Sequence, residues 1–362
     1  MLQGRLLAQA ADYRAVLAGP FAADVLVVDV LPHAARALCD LGEIPLYATL
    51  GVIPLYTSVP RAPLPASGRS PPPEPGESSL LAWLRLVANA VRHAWNRWVA
   101  LPLFVAPVIN RQRAVLGLGP LPFGEPAECF AYSRHLHIQA SSPTLEFGHL
   151  PRPRQLGAKT AFVGPLVLAQ SNDSGTDRLP AWWPRVVAHE RVIGITQGTL
   201  AMDPTSLIIP SIQALQHEPG TLLVVVSPHV KDIESRLQSP PNVFFAEWLP
   251  YHILLPQISL LITNGGYGSI TQALAHKVPL LCAGQSEDKR DTAARVVWSG
   301  VGLDLKTDSP IPQQVRAAAR TILSDDSYRA RAQHLGDELN SLGGAERACD
   351  LLEELVTSSN PK

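Results

Sequence analysis

Asn264-Gly265-Gly266-Tyr267-Gly268-Ser269 is the stretch whose residue types and spacing best suit chemistry. An apolar run at 258–263 precedes it, and helical spacing (Ile270, Ala273, Leu274) follows it. The pattern reads as a buried parallel strand, a glycine turn and a helix. A glycine turn feeding a helix aims free backbone N–H groups and the positive end of the helix dipole at one point, which suits a phosphate. Ser269 adds a hydroxyl donor. The same pattern also serves an ordinary βα turn. The spacing is not that of a P-loop, nor of the GxGxxG turn that follows a first strand in dinucleotide sites. A second strand, 279–283, leads into the acidic loop 284–289 with Asp288 and Lys289.

Other candidates sit where strands are expected to end. Asp29 closes the apolar run Asp24-Val25-Leu26-Val27-Val28-Asp29, and Thr199 follows the run at 192–196. Trp248 follows the run at 243–246. Ligands of parallel sheets collect at the carboxyl ends of strands, although Asp29 also suits a helix cap or turn and Trp248 a core position.

The elements that must position these residues alternate as β and α, which predicts parallel sheets. At 362 residues the chain has room for about two domains. The linker composition of 168–188 divides a domain at 1–167 from one at 189–362, whose closing segment, 311–357, reads as helical. Residues 59–79 are rich in Pro, Ser and Gly and read as a loop excursion. Trp83, Val87, Val91 and Trp95 share one face of a helix over 80–98, expected to be core or cleft wall.

Composition narrows the function classes. A net charge of −1 gives no electrostatic case for nucleic acid or an acidic membrane. Cys39, Cys129, Cys282 and Cys349 are scattered, which predicts no disulfide framework and no metal site. The apolar stretch 83–109 is interrupted by Arg85, Arg92 and Arg97 and broken by Pro102 and Pro107, so no integral membrane segment is expected. The expected location is cytoplasmic.

With these pieces in order, the chain resembles the family 1 nucleotide-sugar-dependent glycosyltransferases, in the fungal and bacterial branch related to macrolide and sterol glycosyltransferases. The resemblance rests on Trp248-Leu249-Pro250-Tyr251, then 264–269, then 284–289, supported by 110–122, 142–147, 162–166 and 179–183. It implies the GT-B fold: two Rossmann-like domains facing across a cleft, the first of them incomplete here. It implies inverting transfer of a sugar, a hexose, from a UDP-sugar co-substrate to a hydroxyl of an apolar small-molecule acceptor, with no metal or other cofactor.

By position, Trp248 would stack on the base, and Thr199, Ser269, Gly266 and Gly268 would hold the diphosphate. Asn264 stands where the family has a phosphate-contacting His. Gln272 stands at the ribose-binding position, Asp288 at the sugar-binding position, and Lys289 where Gln is common; these departures leave UDP, TDP and GDP open. Asp29 matches the Asp that orients a catalytic His. That His has no counterpart before it, and His33 follows Pro32. The resemblance therefore also implies a chain truncated at its front, which binds donor but transfers slowly. The alternatives are a nucleotide-sugar-binding remnant or incomplete gene model, and another GT-B chemistry such as epimerisation.

Overall fold

The apolar runs fold into two separate parallel sheets. The computed structural model describes residues 5–20, 23–59, 61–65, 67–69, 71, 80–147, 159–166, 179–198, 203–237 and 240–359. The first sheet has the order β1 (Leu26–Asp29), β2 (Tyr47–Gly51), β3 (Leu136–Gln139), β4 (Lys159–Phe162). The second comprises β5 (Val192–Thr196), β6 (Leu222–Val226), β7 (Val243–Ala246), β8 (Leu260–Thr263), β9 (Leu280–Cys282) and β10 (Gly302–Asp304). Its order is β10-β9-β8-β5-β6-β7, and every pairing is parallel.

That order contains a reversal. From β5 the chain winds outward through β6 and β7, then returns to the other side of β5 to lay down β8. At such a switch point the loops leaving two neighbouring strands turn to opposite faces and open a crevice at the carboxyl edge. Burial holds the edge in place: Leu260, Leu261 and Ile262 of β8 and Ile193 and Ile195 of β5 have no exposed surface. Each contributes on the order of 1.5–3 kcal/mol.

The final helix, Gly344–Ser359, belongs to the other half of the molecule. The backbone N–H of Gly344 donates to the carbonyl of Val163 at 2.6 Å. Ala348, Leu351, Leu352 and Leu355 then pack with Ala48, Leu136 and Ile138 of the first sheet. The last segment of the chain thus straps the two domains together, where sequence reading had grouped it with the second. Of the expected linker, residues 168–178 lie outside the described residues. Its end is packed on the second sheet, with the Trp182 ring stacked on Phe244 at 5.1 Å.

Two helical expectations change. The segment 80–115 stays helical throughout: Leu80–Trp95, then a π-wound stretch Asn96–Val105, then Ala106–Val115. Pro102 sits inside the π-wound part. Winding to i→i+5 removes the i→i−4 bond that a proline cannot make, so the rod bends its pattern instead of stopping. The stripe expected to be core or cleft wall is largely in solvent: Trp83 is 59% and Trp95 61% exposed, with Val87 and Val91 also exposed. Helical periodicity identifies a shared face but not what covers it. Among the described residues no helix is long and apolar enough to cross a membrane.

Candidate functional site

The crevice at the switch point gathers the glycine-turn residues. Gly265 has φ +86°, a left-handed conformation that admits glycine at little cost. Gly266 is the extended N-cap of helix Tyr267–Ala275. A Cβ on Gly268 would meet nothing within 4 Å, so the first turn faces open space, as an anion seat requires. A Cβ on Gly284, by contrast, would sit 2.0 Å from the Asn264 carbonyl oxygen. The loops after β8 and β9 are therefore in backbone contact.

Hydroxyl groups bind the crevice together. The Tyr251 hydroxyl lies 3.1 Å from Thr196 Oγ1 at the end of β5 and 3.3 Å from Ser269 Oγ at the helix start. Ser269 is half-buried and on the crevice side. Asn264 is buried, and its amide donates to the carbonyl of Gln197. One of its two amide N–H groups thus braces the loop after β5. Thr199 lies outside the described residues.

The remaining donor candidates lie on the segments that follow strands of the same sheet. Trp248 follows β7 and is 71% exposed, an uncovered aromatic face beside the sheet edge. Gln272, one turn into the helix, donates to the carbonyl of Gly268 at 3.2 Å. Lys289 is buried, its Nζ bonded to Ser286 Oγ at 3.1 Å and to the Glu287 carboxylate, so its charge is held inside its own loop. Glu287 has φ +53°, an uncommon conformation for a side chain that bears a Cβ. It delivers Asp288 to the N-cap of helix Lys289–Ser299. Burial, with the charges of Glu287 and Asp291 nearby, lifts the Asp288 carboxyl above the usual carboxylate range.

Asp29 lies elsewhere, at the carboxyl end of β1. It is exposed and accepts a hydrogen bond from the backbone N–H of Val30 at 2.7 Å. The next residue but one, Leu31, has φ +64°. This strained turn separates two cavities. One, of about 180 Å³, is lined by Asp29 and His33 together with Arg5, Tyr13 and Gln112. The other, of about 380 Å³, is walled mainly by apolar side chains from Ile53, Leu101, Val105 and Phe130, with His33 again on its wall. Burial, then the charges of Arg36 and Arg5, lower the His33 pKa to about 4.

A further cluster joins the two domains and was not singled out from the sequence. Glu146, from the first domain, has a fully buried carboxylate. It accepts hydrogen bonds from the Tyr267 hydroxyl at 2.6 Å, the Arg295 guanidinium at 2.8 Å and the Leu55 N–H at 2.8 Å. Gln139 donates to the same tyrosine oxygen at 2.7 Å. Beside it, Asp291 accepts from the Tyr56 hydroxyl at 3.0 Å and the Gly68 N–H at 2.8 Å. Tyr267 belongs to the glycine turn, so the phosphate-type helix start is anchored directly in the first domain. Glu146 and Arg295 are 149 positions apart, and no local pattern links residues so distant.

Comparison with known proteins now has a site to refer to. Residues 209–355 match the family described as Erythromycin biosynthesis protein CIII-like, C-terminal domain. The 4'-demethylrebeccamycin synthase of Lentzea aerocolonigenes is 36% identical over 221 residues, 61% of this chain and 50% of that protein. UDP-glucosyltransferase B1 of Starmerella bombicola is 34% identical over 223 residues, with the same shares. Over this second half the chain is similar to nucleotide-sugar glycosyltransferases. Its fold is GT-B: the solved structure of the glycotransferase of kitacinnamycin superposes with a TM-score of 0.65 at 22% identity, covering 97% of this chain and 80% of that one. The match spans about half the length of the curated glycosyltransferase relatives.

Proposed function

We propose that the chain transfers a sugar, a hexose, from a uridine diphosphate sugar to a hydroxyl group of an apolar small molecule, with inversion at the anomeric carbon. One observation carries the reading: an open helix N-terminus at the switch point of the second sheet, flanked by an exposed Trp248 and a half-buried Asp288. The relatives' names as UDP-glucosyltransferase and rebeccamycin-type synthase support the donor and a secondary-metabolite acceptor.

In this reading Trp248 stacks on uracil. Ser269 and the N–H groups of Gly266 and Gly268 take the diphosphate, and Thr199 adds a donor. As the glycosidic bond to the leaving phosphate breaks, negative charge grows on an oxygen that the helix start already faces, which lowers the barrier. Asp288 accepts hydrogen bonds from sugar hydroxyls, and Gln272 faces the ribose. The acceptor occupies the apolar cavity of about 380 Å³. Asp29 is the carboxylate that would orient an imidazole base, and no histidine of the given sequence precedes it. His33 is a poor candidate for that base, since a group with pKa about 4 holds a proton weakly near neutrality. The UDP-sugar is a co-substrate, and the reading includes no tightly held cofactor or metal.

The test combines calorimetry with product analysis. UDP and UDP-glucose should bind, with TDP-glucose weaker, and UDP-glucose plus a panel of apolar alcohols should yield β-linked glycosides. Asp29→Ala should cut turnover and leave UDP affinity unchanged. Binding without any transfer across the panel would sink the transferase reading in favour of a nucleotide-sugar-binding protein. No binding of any nucleotide would sink both.

A further inference from the structure

More than half of the exposed large apolar side chains among the described residues fall between positions 80 and 123. They lie on the helical rod Leu80–Val115 and the loop after it. Trp83, Val91, Trp95, Trp98, Leu103 and Phe104 are each at least 50% exposed. On the first helix, positions 80, 83, 84, 87 and 91 keep to one stripe. Exposed apolar side chains gathered on one helix face mark an interaction face and not ordinary scatter.

Charge says what kind of partner fits. Between Glu77 and Glu125 the sequence holds five arginines and no acidic residue; Arg113 is buried on Asp40 and Arg97 is half-buried on the Gly124 carbonyl, so Arg85, Arg92 and Arg111 carry the exposed charge. Arg85 and Arg92, seven apart, run along the flank of the stripe, and both are exposed, as is Arg111. Tryptophan rings beside arginines form the composition of a helix that lies in a membrane–water boundary: the indole suits the headgroup level and the guanidinium meets lipid phosphate. Two copies of this face would instead bring arginine flanks together, and like charges brought together oppose that pairing.

We propose that the rod Leu80–Val115 docks the protein peripherally on an anionic lipid surface, with its aromatic stripe in the headgroup boundary. The opposite side of the same rod walls the cavity of about 380 Å³ through His93, Asn96, Leu101 and Val105. Resting on the acceptor assignment made above, this geometry sets the acceptor cavity beside the bilayer, so the acceptor class is an alcohol dissolved in lipid.

Co-sedimentation with vesicles tests this without any donor. The protein should bind vesicles of equal parts phosphatidylcholine and phosphatidylglycerol, weakly bind phosphatidylcholine alone, and release as salt is raised. Trp95→Ser with Phe104→Ser should lower partitioning at least about tenfold on the mixed vesicles. Arg85→Ser and Arg92→Ser should each lower it roughly fivefold, on anionic vesicles only. Unchanged calorimetric UDP affinity in each variant shows that it is folded. Absence of binding by the unaltered protein, or unchanged binding by both sets of variants, overturns the proposal. Self-association in sedimentation equilibrium that the aromatic variants abolish, without vesicle binding, would assign the face to a second copy. Transfer to a water-soluble alcohol in the absence of vesicles tests the enzymatic reading separately.

Discussion

The two parallel sheets of this protein have the same architecture but different surroundings. In the second, every residue of β5, β8 and β9 is buried. In the first, the edge strand β1 buries only Val28. The site on the second sheet is made of turn geometry, backbone N–H groups and short side chains at a switch point, which the fold itself supplies. The cavities on the first are walled by the strained turn after β1 and by a long helical rod whose outer face is in solvent. A site built from backbone tolerates little variation, whereas one built from loops and helix faces can change its ligand by exchanging side chains. The Glu146 cluster links the two kinds of construction, since it ties the glycine turn of the second domain to the first domain.

The largest expected effect breaks that link. Glu146→Ala leaves the Arg295 charge buried without its carboxylate and should cost about 3–5 kcal/mol in denaturant unfolding. Glu146→Gln combined with Arg295→Met should recover part of the loss. Retained stability in the single variant would mean that the halves do not depend on this pair.

Acid should loosen the first half next. Burial lowers the His137 pKa to about 4, against 6.5 for the free side chain. The unfolded chain therefore binds the extra proton between those values, and stability rises with pH across the window and is lost on acidification. One such histidine accounts for at most about 3 kcal/mol between neutral pH and pH 4. His33 is lowered in the same direction. Unfolding free energy measured from pH 7 to 4 should show this slope, and His137→Gln should flatten it. A slope unchanged by His137→Gln would place the acid-sensitive group elsewhere.

Trp248→Ala sharpens the description of the second half. It should weaken UDP binding by about 2 kcal/mol, the scale of a lost aromatic stack, with little change in stability because the ring is exposed. Unchanged UDP affinity by calorimetry would remove Trp248 from the base. The smallest effect separates sugar from nucleotide: Asp288→Ala should cost about 1.5 kcal/mol for UDP-glucose, the low end for hydrogen bonds to a charged group, and almost nothing for UDP. Equal losses for both ligands would move Asp288 away from the sugar.

The second half was readable because its signals are local. The run ending at Thr263, the glycines at 265 and 266 and the helical spacing after Ser269 each follow from rules that act within a few residues, and the structure has β8, a left-handed Gly265 and helix Tyr267–Ala275 there. The order of strands around β5 was not readable, because strand pairing is a choice among many packings of the same buried runs. For the same reason the destination of the final helix, on the first sheet, was missed.

Residue type likewise determined less than position. Asn264 offered a donor by its chemistry, but the fold brings the Gln197 carbonyl to its amide. Lys289 offered a charge, but its own loop neutralises it. The stripe at 83, 87, 91 and 95 was legible as a shared helical face, while its exposure depended on which neighbours the chain brought near it. Local backbone preference and hydrophobic period are properties of short segments, so the sequence by itself determined the strands, turns and helix starts. Burial, charge pairing and the meeting of Glu146 with Tyr267 and Arg295 are properties of contacts between distant segments, and only the tertiary structure decided them.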